Sequence, residues 1–201
     1  MILSIDTTSE FGSIALTAGN ALVEEIALHA PEGFGHVLFE HLARLLENNR
    51  AAVHQMDCFA AASGPGSFTG VRVGLAAAKG LAEASGKRVV AVSNLRALAW
   101  FGTAPLRAAI IDARRGEIYA AVYNSRLEPV MPEVVIKYDD WLPSLPAADC
   151  ELISTIAAPR TLAAAIGRIA WEDFSAGRSS HPAAIDANYV RRSDAELFWK
   201  E

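Results

Sequence analysis

Residues 108–112, Ala-Ala-Ile-Ile-Asp, form a short apolar run that ends in an aspartate. A turn carrying Arg114-Arg115-Gly116 follows, and then a second run, Ile118-Tyr119-Ala120-Ala121-Val122-Tyr123. The chain opens in the same way. Leu3-Ser4-Ile5-Asp6 leads through Thr7-Thr8-Ser9-Glu10-Phe11-Gly12 into Ser13-Ile14-Ala15-Leu16-Thr17. Strand, aspartate, glycine-containing turn and strand occur once in each half, which predicts a duplicated unit. Helical segments follow the strands in both halves, so the layers are mixed α/β.

Working outward, a third strand is expected over 22–27, after the Gly19-Asn20 turn. Residues 35–49 read as an amphipathic helix with Leu38, Phe39, Leu42, Ala43, Leu45 and Leu46 on one arc. A short buried strand at 58–63 runs into the stretch Ser63-Gly-Pro-Gly-Ser-Phe-Thr-Gly-Val-Arg-Val-Gly74, and a helix follows at 71–84. A strand at 88–92 and a short helix from Asn94, capped by Ser93 or Asn94, close the first half. In the second half, Pro129, Pro132, Pro143 and Pro146 read as loops. A late helix is expected over 160–174.

The glycine stretch invites comparison with phosphate loops. Gly64, Gly66 and Gly70 allow close backbone approach, Pro65 stiffens the turn, and Ser67 or Thr69 can cap the helix. The spacing fits neither G-x-x-x-x-G-K-[ST] nor G-x-G-x-x-G. The helix behind it says more. Only Arg72, Lys79 and Glu83 are charged around its circumference, and the rest is mainly Val, Leu, Ala and Gly. A helix apolar on nearly all sides is covered on more than one side, by its own chain or by a partner. Small residues at Gly74, Ala77, Ala78 and Gly80 would let another helix come close.

Other chemistry is sparse. Asp6 with Thr7 and Thr8, and Asp112 at the matching point, stand where duplicated nucleotide-splitting folds bring an aspartate to a metal-bound phosphate; each equally suits a turn. His36 and His41 are five apart and cannot share one ion on a helix face. There is no G-x-S-x-G elbow. Cys58 and Cys150 belong to no C-x-x-C pair and read as reduced thiols. The net charge of -5 gives no global attraction to nucleic acid. With no leader-like start and no apolar run of about 18 residues, a cytoplasmic protein without membrane contact is expected.

Ile5-Asp6-Thr7-Thr8, the stretch 63–74, Ala78-Lys79-Gly80-Leu81-Ala82, Ile111-Asp-Ala-Arg-Arg-Gly-Glu-Ile-Tyr119 and the tail Tyr189-Val-Arg-Arg192 together resemble the TsaB (YeaZ) family. This family belongs to the machinery that makes threonylcarbamoyladenosine at position 37 of tRNA. The resemblance runs in order from residue 1 to about 195, although the family's C-terminal half tends to be longer. It implies a duplicated actin/hexokinase-like (ASKHA, ribonuclease H-like) fold of two small α/β domains, 1–103 and a shortened 104–201.

It also implies a pseudo-enzyme with no catalytic residue and no metal of its own. The chain would bind and activate the catalytic subunit TsaD through first-domain helices, or pair with a second copy of itself. TsaE joins the assembly. ATP or ADP and Mg belong to the wider complex, with no cofactor tightly bound here, and tRNA is met only through the complex. The expected partner surface comprises Leu38, Leu42, Leu45, Val71, Gly74, Leu75, Ala77, Ala78 and Leu81. Asp6, Thr7, Thr8, Gly64, Gly66, Ser67, Thr69 and Gly70 are the expected vestigial phosphate-loop positions. Arg114, Arg115, Arg191 and Arg192 stand either as tRNA contacts or as solubilising charges. Two other readings of the same residues are a small-molecule kinase or nucleotide hydrolase, and a metallopeptidase.

Overall fold

In the computed structural model, residues 1–146, 149–156 and 160–190 are described. The first half contributes β1 (Ile2–Asp6), β2 (Phe11–Ala18), β3 (Ala21–His29), α1 (Leu38–Asn48), β4 (Cys58–Ala62), α2 (Phe68–Ser85), β5 (Arg88–Val92) and α3 (Asn94–Ala99). The second contributes β6 (Leu106–Arg114), β7 (Glu117–Asn124), β8 (Pro129–Lys137), α4 (Tyr138–Trp141), β9 (Cys150–Ser154) and α5 (Ala163–Ser175).

Two sheets form, ordered β3-β2-β1-β4-β5 and β8-β7-β6-β9. In each, three strands run as an antiparallel meander and the next joins the first strand in parallel. Among the described residues, the second sheet has one strand fewer. The shared order and polarity are the duplication that the two hairpins announce.

The layers follow from which faces are apolar. α1 and α2 cover one face of the first sheet, where Leu3, Ile5, Ile14, Leu16 and Phe59 meet Leu38, Leu42, Leu45, Val71 and Leu75. On the other face, Ile2, Cys58, Ala60 and Val90 meet α3, α5 and the inner face of the second sheet through Leu95, Leu98, Ile166, Ala109 and Ala121. α5 comes late in the chain yet lies along β1, β2 and β4, with Ser4 Oγ donating to Ala163 O at 2.7 Å. Trp141 closes the outer face of the second sheet over Ile110, Ile118 and Val122. No helix among the described residues is long and apolar enough to cross a membrane.

Four sequence expectations change. The first helix begins at Leu38, because a 3-10 turn over Phe34–His36 comes first. Phe39, expected on its apolar face, is 59% exposed. The proline-rich region is not all loop: β8 contains Pro129 and Pro132. It is an edge strand, so one side asks for no ladder donors. Pro132 also falls where the pairing slips, between Met131 opposite Val122 and Val134 opposite Ala120. The late helix starts at Ala163 rather than 160.

Candidate functional site

The two hairpin turns and the glycine stretch meet at a cleft of about 580 Å³ between the halves. Asp6, Thr8, Pro65, Gly66, Ser67 and Asn94 line it from the first half, and Asp112, Arg114, Tyr119, Thr155 and Arg160 from the second. β1 ends at its rim, so Asp6 is carried there by strand geometry.

The first turn is built inward. Asp6 is 2% exposed and accepts from the Thr8 amide at 3.0 Å and the Thr8 hydroxyl at 2.6 Å. Asn94 Nδ2 donates to the Thr8 hydroxyl at 2.6 Å, and Asn94 Oδ1 accepts from the Gly64 amide at 2.9 Å. Burial raises the Asp6 pKa, and the bonds from Thr8 only partly offset it. Thr7 donates to Gly70 O at 2.7 Å, and the Ser67 amide donates to Thr8 O at 2.7 Å. Ser67 caps α2 by accepting from the Gly70 amide at 3.3 Å.

The glycines are needed for this contact. A Cβ on Gly70 would lie 2.0 Å from Thr7 O, and one on Gly74 would lie 2.6 Å from Thr7 Oγ1. All eight expected phosphate-loop positions therefore come together in space. Their polar groups are largely engaged with each other, while Ser67 and Thr69 keep exposed positions.

The second turn is built outward. Asp112 is half-exposed; it accepts from the Arg114 amide at 2.8 Å and pairs with the Arg114 guanidinium at 3.5 Å. Arg114, Arg115 and Gly116 all have positive φ, at 64°, 57° and 73°. The two aspartates match in topology and differ in environment. Arg191 and Arg192 lie outside the described residues.

Sequence reasoning missed two parts of the site. Of the two cap candidates, Ser93 and Asn94, Ser93 takes that role, and the Asn94 side chain joins both first-half loops, a bridge the sequence reading did not foresee. Glu133, on edge strand β8, is a hub. It accepts from Tyr123 at 2.6 Å, from Asn188 Nδ2 at 2.6 Å, and from Ser93 Oγ. The Asn188 amide also donates to Ser63 O at 2.7 Å, so the tail ties the glycine stretch to the second sheet. The bonds from Ser93 and Asn188 to Glu133 join residues 40 and 55 apart in sequence, and nothing local marks them.

The expected partner surface sits differently. Leu38, Leu42, Leu45, Val71, Leu75, Ala77 and Ala78 are at most 6% exposed, Gly74 is buried beside them, and Leu81 is half-buried. These side chains close the layer between α1, α2 and the first sheet, so they are not available to a second chain. What α2 turns outward is Phe68, Thr69, Arg72, Ala76, Gly80, Glu83 and Ala84. Cys58 and Cys150 are free thiols, and burial pushes Cys58 up to about 12. Among the described residues, no group of three or more His, Cys, Asp or Glu could hold a metal ion.

Paired sheets of one topology, helices between them, and a cleft where the duplicated turns face each other define the actin/hexokinase-like class of proteins. The solved structure of YeaZ from Pseudomonas aeruginosa superposes with a TM-score of 0.76 over 94% of this chain and 98% of that one, at 24% identity. The family model described as TsaD, tRNA N6-adenosine threonylcarbamoyltransferase, matches residues 30–176. The Bacillus subtilis (strain 168) protein named tRNA threonylcarbamoyladenosine biosynthesis protein TsaB is 34% identical over 153 residues, covering 74% of this chain and 67% of that protein. The Escherichia coli (strain K12) protein of the same name is 34% identical over 127 residues, covering 61% and 54%. The chain belongs to the TsaB/YeaZ family. Its matches span between about half and two thirds of the length of these two relatives.

Proposed function

We propose that the chain is a non-catalytic subunit in the synthesis of threonylcarbamoyladenosine at adenosine 37 of ANN-decoding tRNAs, and that it binds and activates the catalytic subunit TsaD. The relatives' names support the process. The observation that carries the subunit reading is the outward side of α2. Ala76, Gly80 and Ala84 stand on it four residues apart, and a Cβ added at Gly80 would meet nothing within 4 Å. Such a stripe lets a partner helix approach to about 8–10 Å between axes. Phe39, 59% exposed on α1, supplies an apolar anchor on the same layer.

The cleft supports the same reading. The groups that would hold a phosphate in an active relative of this class are here bonded to each other: Asp6 to Thr8, Thr7 to Gly70, and the Ser67 amide to Thr8. In this reading the glycine stretch aims α2 and presents its outer side. TsaE and a second copy of the chain are the further partners, ATP or ADP with Mg belongs to the wider assembly, and tRNA arrives through that assembly.

A stable contact of this kind buries more than about 1,000 Å². The test is to purify the chain with TsaD, then repeat with Gly80→Glu. Wild type should co-elute with TsaD in equal amount, and Gly80→Glu should elute alone while still folded. Co-elution of the variant would remove α2 as the surface.

A further inference from the structure

At the start of α2, Phe68 and Arg72 continue the Ala76–Gly80–Ala84 row at the same four-residue spacing, and there two large aromatic side chains, Phe68 and Tyr189, stand in solvent together. Phe68 is 52% exposed and Tyr189 is 45% exposed, with ring centroids 5.9 Å apart and planes 35° apart. The Arg72 guanidinium lies 3.3 Å from the Phe68 ring centroid and 5.6 Å from that of Tyr189. Arg72 makes no ion pair among the described residues. Its guanidinium therefore has no carboxylate partner among the described residues, on a chain whose net charge is -5.

The cluster is held in place from beneath. Phe68 opens α2 directly after the Ser67 cap. Tyr189 follows Asn188, which is tied to Ser63 and to Glu133, and Ile185 just before it is 6% exposed. Two rings and a planar cation are thus fixed in a stack whose outer surfaces stay open.

We propose that Phe68, Arg72 and Tyr189 form a stacking platform for an unpaired base of an RNA strand. The inference rests on the reading of the chain as part of a tRNA-modifying assembly. Bases splayed from loops and single strands stack on aromatic rings and guanidinium planes, and their phosphates favour a cation that has no carboxylate partner. Two exposed rings without such a ligand keep apolar area in water at a cost. On α2 itself the carboxylate on the same side, Glu83, is eleven residues beyond Arg72, about 16 Å along the axis.

The test uses an unmodified tRNA transcript carrying 4-thiouridine, irradiated with the full chain, both alone and with TsaD added. The crosslinked peptides are identified by mass spectrometry, and tRNA affinity is measured alongside. The expected crosslinks fall on residues 66–72 and 188–190. Phe68→Ala with Tyr189→Ala should weaken binding about tenfold or more, on the scale of a lost base stack. Arg72→Lys, which keeps the charge but loses the plane, should lose part of that affinity.

Unchanged affinity in the double variant would overturn the platform. So would loss of TsaD binding with tRNA affinity unchanged, which would make the cluster a protein contact, and so would a double variant that only loosens the 185–190 tail in hydrogen exchange. Threonylcarbamoyladenosine formation is scored separately. Product without the crosslink sinks the platform alone, and a crosslink without product sinks the proposed function alone.

Discussion

Ala76 and Ala77 are chain neighbours on α2, about 100° apart around it, which puts one in solvent and the other against the core. Ala76 is exposed; Ala77 is 6% exposed, within the core that α1 and α2 share with the first sheet. A glutamate at each position should therefore fail in a different way. Ala77→Glu leaves an unpaired charge in an apolar layer, at a cost of about 3–5 kcal/mol. Set against a domain stability of about 5–15 kcal/mol, that is a large fall in melting temperature or an unfolded chain. Ala76→Glu stays in water in the isolated chain and should shift stability by no more than about 0.5 kcal/mol. In the proposed contact with TsaD, however, it puts a charge at a close helix crossing. A penalty of about 2 kcal/mol there weakens binding about thirtyfold. Thermal melts of each variant and calorimetric titration with TsaD separate the two effects. If Ala76→Glu binds TsaD like wild type, the outward side of α2 is not the surface. If Ala77→Glu melts like wild type, the packing of α2 is misdescribed.

Other outcomes follow from the same geometry. Gly70→Ala drives a methyl group into Thr7 O and should cost about 1–3 kcal/mol or more in chemical denaturation, while Gly80→Ala should be neutral or slightly stabilising. Asp6→Asn should match or exceed the wild-type melting temperature at pH 7. The folded pKa of Asp6 is raised, so ionising this buried group costs stability as pH rises, and the advantage of the variant should shrink toward pH 4. A lower melting temperature at pH 7 would show that the Asp6 carboxylate stabilises the turn. Asp173 behaves in the opposite sense. Burial opposes its charge, but hydrogen bonds from Arg96 at 2.6 Å and Arg178 at 2.7 Å outweigh burial and hold its pKa below the usual value. Its contribution is present above the ordinary Asp pKa of about 3.9 and is lost as pH falls through the lower folded value. Asp173→Asn should cost about 1–3 kcal/mol at pH 7 and much less near pH 2.

The duplication was legible because it is local. A strand, its terminal aspartate and a glycine turn lie within about fifteen residues, and strand alternation with turn chemistry decides them. The helix after the glycine stretch was legible as two-sided, but its orientation was not. A helical wheel gives relative angles and leaves open which arc meets the sheet. Arg72, Lys79 and Glu83 held the missing clue, since three charges within about 40° mark the outward arc, and Ala77, Ala78, Val71 and Leu75 lie away from it. β8 was hidden by its prolines, which an edge strand tolerates at a slip in register. The Asn94 bridge and the Glu133 hub could not be read from the chain at all. The first joins residues 30 and 86 apart within the first half, and the second ties Ser93 and the Asn188 tail to the second sheet.

The central claim is that the chain serves another subunit's chemistry. Its most direct test is a reconstituted reaction of TsaD, TsaE, tRNA, ATP and threonylcarbamoyl-adenylate, with threonylcarbamoyladenosine counted by mass spectrometry with and without this chain. Product should rise well above background only when the chain is present, and should fall back with Ala76→Glu. Equal product without the chain, or product from the chain with tRNA and no TsaD, would contradict the account.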